Sequence, residues 1–250
     1  MSKHLIFIHG LGLGVWVFHH FLPWFQRLGF ITHTVNLPGH QPSATAQQRQ
    51  QVNLEQCVNC VQQYLTQYVN GPYVIIGLSL GGAICQQLLV QNRLPGAAKG
   101  VVLLSSVPPK NNLIFTLRFF QKLAHENADG LVDFFRNRIN PIMMFSPATM
   151  RNISKQQQND YMGKVMQGFS RLELEIFFQN ILEQPCRAYI PIKIINGKED
   201  PLFPPEVAQF TAACYQQKAE IVVDSGHLIP IAHNHQIAMQ TIQRFIREVF

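Results

Sequence analysis

The sequence feature that most constrains the fold is an apolar run over residues 73–76 that leads directly into the pattern Gly77-x-Ser79-x-Gly81. The run predicts a buried strand, and a helical pattern begins at Gly81. A sharp turn between strand and helix needs small neighbours, and the two glycines supply them. The pattern therefore predicts an exposed Ser79 hydroxyl at a helix N-terminus, where negative charge is stabilised. Ser79 is a candidate nucleophile, and the alternative is a turn with a purely structural role.

Short apolar segments alternate with helical patterns on both sides of this turn. The predicted strands cover residues 3–8, 30–35, 73–76, 100–105, 190–195 and 220–223. This alternation is typical of an α/β fold: a mostly parallel sheet of about six strands with helices on both faces. The alternation stops between residues 110 and 186, which have helical patterns and no clear core strand. We therefore predict one α/β core made of residues 1–109 and 187–250, with residues 110–186 as a helical lid insertion.

Composition and charge exclude several classes of protein. Of the 250 residues, 47% are hydrophobic and 14% are charged, as expected for a globular protein with a large core. No apolar run reaches the roughly 18 residues that a membrane span needs, so we expect no stable membrane anchor. The N-terminal apolar residues are interpreted as the first strand, and the odd number of cysteines suggests reduced thiols, which together predict a cytoplasmic protein. The net charge of +6 is dispersed, so no nucleic-acid partner is expected.

A nucleophilic serine needs a base within hydrogen-bond reach, and the base needs a carboxylate that orients it. In a parallel sheet such groups belong on loops at the carboxyl ends of strands. Asp200 follows the predicted strand 190–195, and His227 follows the strand 220–223. The chain order Ser79, Asp200, His227 is the order of the α/β-hydrolase class. The alternative histidines, His233 and His235, lie away from a strand end. Glu199 and Asp224 rival Asp200, which is favoured by its Gly197-x-x-Asp200 turn followed by Pro201.

Hydrolysis also needs two backbone N–H donors facing the oxygen that gains charge. The residue after the nucleophile, Leu80, supplies one candidate. The glycine-rich loop after the first strand, which begins at His9, supplies the other, and we expect it to be the N–H of Leu11. His9 itself is expected to brace this loop. The same loop hints at a dinucleotide site, but the full glycine pattern is missing, and no ligand cluster has metal spacing, so neither a cofactor nor a metal is expected.

Several short motifs together resemble the α/β-hydrolase superfamily along nearly the whole chain. They are His9-Gly10, Pro38-Gly39-His40, Gly77-Leu78-Ser79-Leu80-Gly81-Gly82, Gly197-x-x-Asp200-x-x-x-Pro204 and Gly226-His227. A chain that opens directly on the His-Gly strand is similar to the compact branch that holds plant-type methylesterases and hydroxynitrile lyases. It resembles more generally the bacterial carboxylesterases that demethylate an ester bound to an acyl carrier.

Four positions refine this resemblance. The lyases carry a lysine after the catalytic histidine and a threonine after the first histidine, whereas this chain has Leu228 and Gly10, as the esterases do. Asn36 and Gln41 depart from the acid and the glycine common in the loop around Pro38-Gly39-His40. Since that loop lies near the rim of the family's active site, the resemblance implies altered substrate handling.

The expected function is hydrolysis of carboxylic esters with an apolar acyl or alcohol portion. An acyl thioesterase or an acyl-carrier methyl ester esterase is the enzymatic alternative, and a small-molecule receptor on the same fold is the non-enzymatic one. The insertion holds 9 of the 18 phenylalanines and 5 of the 7 methionines, which predicts an apolar substrate pocket. The candidate pocket residues are Phe119, Met144 and Phe178. A further hypothesis is that basic residues of the insertion recruit an acidic acyl-carrier protein.

Overall fold

The computed structural model describes residues 2–110, 121, 152–183 and 186–250. Its sheet has six strands in the order β2-β1-β3-β4-β5-β6, and every adjacent pair is parallel. The strands are β1 His4–Ile8, β2 Ile31–Val35, β3 Tyr73–Leu78, β4 Ala98–Leu104, β5 Ile192–Gly197 and β6 Ala219–Val222. The predicted parallel sheet of about six strands is therefore confirmed.

The helices around the sheet follow the predicted alternation. They are α1 Phe21–Arg27, α2 Ala46–Gln51, α3 Leu54–Tyr68, α4 Leu80–Val90, α5 Lys155–Gly163, α6 Ser170–Phe178, α7 Pro205–Cys214 and α8 His235–Val249. The capping box of Asn53 and Gln56 opens α3, because each side chain bonds the other residue's backbone N–H. Within the described ranges, none of the helices has the length and apolar character needed to cross a membrane.

The central strands are buried on both faces, which explains their continuous apolar sequences. All residues of β1 and β3 are buried, whereas the edge strands β2 and β6 are partly exposed. Helices on both faces cover the central strands, so no alternation of polar and apolar residues is needed there. Each large apolar side chain buried in this way contributes about 1.5–3 kcal/mol to folding.

The strand order places a crevice at the carboxyl end of β1. The chain leaves β1 toward β2 on one side and returns as β3 on the other side. Loops that follow β1 and β3 therefore diverge at the carboxyl edge, which is where ligands bind in open α/β sheets. The loops after β5 and β6 end at the same edge, because all the strands are parallel.

The described part of the insertion, residues 152–183, packs onto the loops at this edge. The N–H of Met166 donates to the carbonyl of Gly12 at 2.7 Å, so the insertion is tied to the loop after β1. The N–H of Leu182 donates to the carbonyl of Pro109 at 2.7 Å. The proposed pocket residues Phe119 and Met144 lie outside the described residues, and the boundary of the lid at residues 110 and 186 stays a prediction.

Candidate active site

Ser79 occupies a strained turn between β3 and α4. Its backbone angles are φ 55° and ψ −114°, a conformation that costs energy for any residue other than glycine. The turn is crowded: a Cβ at Gly77 would lie 2.3 Å from the carbonyl oxygen of Gly81, and one at Gly81 would lie 2.2 Å from that of Ile8. Only glycine fits at these two positions. The strained turn is the structure that the motif predicts.

His227 and Asp200 form a buried pair on the loops after β6 and β5. The Nδ1–H of His227 donates to Oδ2 of Asp200 at 2.9 Å. The other carboxylate oxygen accepts the N–H groups of Leu202 and Phe203, both at 2.9 Å, which fixes the carboxylate. With the proton held on Nδ1, Nε2 is the imidazole nitrogen that can accept a proton from a nucleophile.

The neighbouring acid Glu199 has a different position. Its Oε2 accepts the N–H of Ser225 at 2.9 Å, and its own N–H donates to the Ser225 carbonyl at 3.0 Å. Glu199 therefore ties the loop after β5 to the loop that carries His227. Among the rival histidines, His235 bonds the carbonyl of Ala232 and stacks on His20 rather than contacting Asp200.

The loop after β1 runs against the nucleophile. A turn closed by the N–H of Leu13 and the carbonyl of Gly10 has Gly12 at φ 67°, which favours glycine. A Cβ at Gly10 would lie 3.0 Å from the Cβ of Ser79, so the backbone passes directly beside the serine. No hydrogen bond between described residues uses the N–H of Leu11 or Leu80. Within that part of the chain, both N–H groups remain candidate donors beside Ser79.

His9 braces this loop through hydrogen bonds of its imidazole ring. Its Nδ1–H donates to the carbonyl of Gly10 at 2.9 Å, and its Nε2 accepts the N–H of Leu37 at 3.3 Å. Burial lowers the pKa of His9 to about 4, so the ring is neutral at neutral pH. These hydrogen bonds join the loop after β1 to the loop after β2, in keeping with the bracing role expected for His9.

His40, on the loop after β2, also braces the loop after β1. The sequence analysis did not predict this role. Its Nδ1–H donates to the carbonyl of Pro38 at 2.8 Å, and its Nε2 accepts the N–H of Gly12 at 3.0 Å. Burial lowers the pKa of His40 to about 3, which keeps Nε2 free of a proton and able to accept. The only sequence signal was the position of His40 in the Pro-Gly-His motif, which gives no contact.

The insertion supplies aromatic side chains to both ends of this site. Phe169 stacks on His40, with ring centroids 4.2 Å apart. Phe177 stacks on Phe203 at 6.4 Å, and the Phe203 ring lies 5.5 Å from that of His227. Phe178, the described member of the predicted pocket set, is 42% exposed. The contacts therefore favour Phe177 over Phe178 as the phenylalanine near the site, and a binding role for Phe178 stays a prediction.

The described ranges contain no group of three or more His, Cys, Asp or Glu side chains placed to hold a metal ion.

A parallel sheet covered on both faces, with a strained serine after β3 and a His–Asp pair after β6 and β5, defines the nucleophile-elbow class of α/β protein. The family described as alpha/beta hydrolase fold matches residues 3–233. The chain therefore belongs to the alpha/beta hydrolase family.

Solved structures give the same fold at low sequence identity. A thermophilic esterase from Thermogutta terrifontis is 16% identical, with 100% of this chain and 91% of that chain covered and a TM-score of 0.72. The esterase EaEST from Exiguobacterium antarcticum is 13% identical, with 98% and 92% covered and a TM-score of 0.75. MenH from S. aureus is 16% identical, with 99% and 95% covered and a TM-score of 0.69. No curated protein matches the chain.

Proposed function

We propose that this protein is a serine hydrolase that cleaves carboxylic esters with an apolar acyl or alcohol portion through an acyl-enzyme on Ser79. The observation that carries the proposal is the strained Ser79 turn at the sheet edge where His227 is hydrogen-bonded to the buried Asp200. Strain of this kind persists only where the surrounding structure enforces it, and it is concentrated at functional sites. A turn with a purely structural role would not need a serine at that position.

In the proposed reaction, Nε2 of His227 takes the proton from the Ser79 hydroxyl as its oxygen attacks the ester carbonyl carbon. The N–H groups of Leu11 and Leu80 then bind the resulting oxyanion. Asp200 keeps the imidazole oriented and stabilises its positive charge. The C–O bond to the alcohol breaks, and His227 returns the proton to the departing alcohol.

The second half of the reaction repeats these steps with water. His227 removes a proton from the water, whose oxygen attacks the acyl carbon, and the same two N–H groups bind the oxyanion. The bond to Ser79 breaks, the serine oxygen recovers a proton from His227, and the carboxylic acid leaves. No metal or cofactor takes part in any of these steps.

The apolar preference rests on what lies beside the catalytic groups. Phe203 packs against His227, and Phe177 of the insertion stacks on Phe203. Apolar groups bound here leave water, which favours binding by about 0.8 kcal/mol for each methylene. The buried Leu228 next to His227 and the bare Gly10 fit the esterase alternative better than the lyase alternative, as the sequence resemblance implies.

An acyl thioesterase, or an esterase for the methyl ester of an acyl carrier, would use the same catalytic groups. Three structures of similar fold are named esterases or carboxylesterases, and at 13–17% identity this likeness shows the fold alone. A receptor that binds a small molecule without turnover is the other alternative, since one fold hosts many functions. The carrier hypothesis rests on Arg118, Lys122, Arg136, Arg138 and Arg151, all outside the described residues.

The test is covalent labelling with a fluorophosphonate probe, followed by turnover of a series of p-nitrophenyl esters. We expect labelling at Ser79 and loss of both labelling and turnover in Ser79→Ala. Ser105→Ala is the matched control, because Ser105 follows β4 at the same edge and also has a positive φ, 39°. Labelling that persists in Ser79→Ala would contradict the proposal, and labelling without turnover of any ester or thioester would favour the receptor.

A further inference from the structure

A buried carboxyl group in the insertion has no role in the proposed reaction. Glu173, on α6, is only 2% exposed, and its Oε1 has no hydrogen-bond partner within the part of the chain that the structure describes. The backbone N–H of Phe169 hydrogen-bonds to the carboxylate, so one acceptor is left unused. An unsatisfied buried acceptor destabilises the folded protein, and a leucine at this position would avoid that cost.

The contacts of α6 show which way Glu173 faces. Residues spaced by four share one face of a helix, so Phe169, Glu173 and Phe177 lie in a row. Phe169 stacks on His40, and Phe177 stacks on Phe203, which contacts His227. Glu173 therefore lies between two contacts of α6: that of Phe169 with His40, and that of Phe177 with the Phe203 ring beside His227. It is on the face of α6 that is turned toward the site.

The surroundings of Glu173 restrict the group that it can bind. Burial raises its pKa to about 7, so at neutral pH the carboxyl group exists in both protonation states. A hydroxyl group can pair with either state, since it donates to a carboxylate and accepts from a carboxylic acid. An ammonium group pairs only with the carboxylate and must also lose its water among the aromatic rings, which is costly.

We infer that Glu173 is a specificity-determining residue whose Oε1 hydrogen-bonds a hydroxyl group on the acyl or alcohol portion of the ester. The preferred substrates are then hydroxylated esters rather than plain alkyl esters. This inference rests on the proposed function, since it concerns the substrate of the same site. Glu173 binds the substrate directly in this arrangement, and it does not touch the reacting atoms.

The experiment compares kcat/KM for hydroxylated esters with kcat/KM for the plain esters of equal length. One series carries the hydroxyl at successive carbons of the acyl chain, and the other carries it in the alcohol portion, so the two series locate the contact. We expect a preference of about tenfold or more at one position, as a hydrogen bond to a charged group provides. Because both esters of a pair use Ser79, the ratio is insensitive to general damage.

Two variants separate a binding role from a packing role. Glu173→Gln keeps a carbonyl acceptor and should keep most of the preference, whereas Glu173→Met has a similar size without an acceptor and should lose it. Thermal unfolding and fluorophosphonate labelling of Ser79 are measured on both. Absence of labelling at Ser79 in the wild type would reject the proposed function. Labelling at Ser79 without a preference for hydroxylated esters in either series would reject the role of Glu173 alone.

The pH dependence of the ratio gives a second measurement. An ionised carboxylate is the stronger acceptor, so the preference should rise as the pH passes through about 7 in the wild type. It should stay flat in Glu173→Gln. Among the described residues around α6, His40 remains neutral, Arg49 donates to the carbonyls of Ala44 and Gln167, and Arg171 pairs with Glu175. His227 acts on both substrates alike. A flat wild-type ratio, or a preference that Glu173→Met retains, would overturn the inference.

Discussion

Replacing Gly10 with alanine should reduce the catalytic rate far more than the stability. The added Cβ would lie 3.0 Å from the Cβ of Ser79 and 3.1 Å from Cδ1 of Leu13, whereas ordinary contacts begin at 3.4 Å. Relief therefore requires a shift of about 0.4 Å, the difference between 3.4 and 3.0 Å. Gly10 has no positive φ, so the alanine adds crowding without backbone strain.

The expected loss of rate follows from the tolerance of an oxyanion hole. Its donors work at roughly 2.7–3.1 Å from the charged oxygen, and a shift of about 0.4 Å is as large as the whole width of that range. Removing one donor outright costs about 10²–10³ in kcat, so a displaced donor should cost about 10–100-fold. Overpacking costs about 1–3 kcal/mol in stability, which leaves a folded enzyme.

The assay is the kinetics of p-nitrophenyl acetate, with thermal unfolding measured in parallel. Gly14→Ala is the matched control: its Cβ would also have a nearest contact at 3.0 Å, but with the Trp16 ring rather than with Ser79. We expect kcat to fall in Gly10→Ala and to stay near the wild-type value in Gly14→Ala. A kcat for Gly10→Ala within threefold of wild type, or an equal loss in both variants, would refute this reasoning.

Four further predictions follow from the site. Asp200→Asn should lower kcat by about 10³–10⁴ with KM little changed, since an amide cannot stabilise the imidazolium; a full rate would mean that another carboxylate orients His227. The free energy of unfolding, measured in urea, should fall as the pH drops below 6.5, because His9 and His40, with folded pKa values of about 4 and about 3, bind protons first in the unfolded chain. His40→Asn should make this fall less steep, and an unchanged pH dependence would argue against the role of His40 in it. Phe177→Ala should shift the preferred acyl length in a panel from acetyl to palmitoyl esters, and Phe178→Ala, at a 42% exposed position, should shift it less; equal profiles would leave the insertion without a pocket role. A carrier-linked ester should be favoured over its free analogue at low salt and lose that advantage at high salt, whereas equal kcat/KM values would remove the carrier hypothesis.

The fold could be predicted because its strands are continuous apolar runs between clear turn signals. Predicted and observed strand boundaries agree to within two residues at every end, including that of β3, which extends to Leu78. The polar segment Ala46–Gln51 forms a helix of its own, α2, which is separate from α3. A capping box of Thr45 and Gln48 opens it, and Val52 ends it in extended conformation. The Thr-x-x-Gln spacing was visible in the sequence and could have shown this.

Parts of the site could not be predicted because they depend on tertiary contacts. Nothing in a Pro-Gly-His motif indicates that His40 accepts the N–H of Gly12. The choice between Phe177 and Phe178 depends on how α6 is rotated about its own axis. The sequence does not fix that rotation, because the apolar residues of α6 include Leu174 and Phe178, which are exposed. Glu173 did carry a signal, since Phe169, Leu172 and Ile176 place it on a buried apolar face.

The three histidines at this site show how surroundings assign different roles to one side chain. His9 and His40 are buried against backbone carbonyls, and burial lowers the pKa of both, so each is a neutral brace. His227 is as deeply buried, but its Nδ1–H donates to the carboxylate of Asp200. A charged acceptor stabilises an imidazolium far more than a carbonyl dipole does. Of these three histidines, His227 is therefore the one suited to hold a proton during the proposed reaction, and replacing Asp200 should make it resemble the other two.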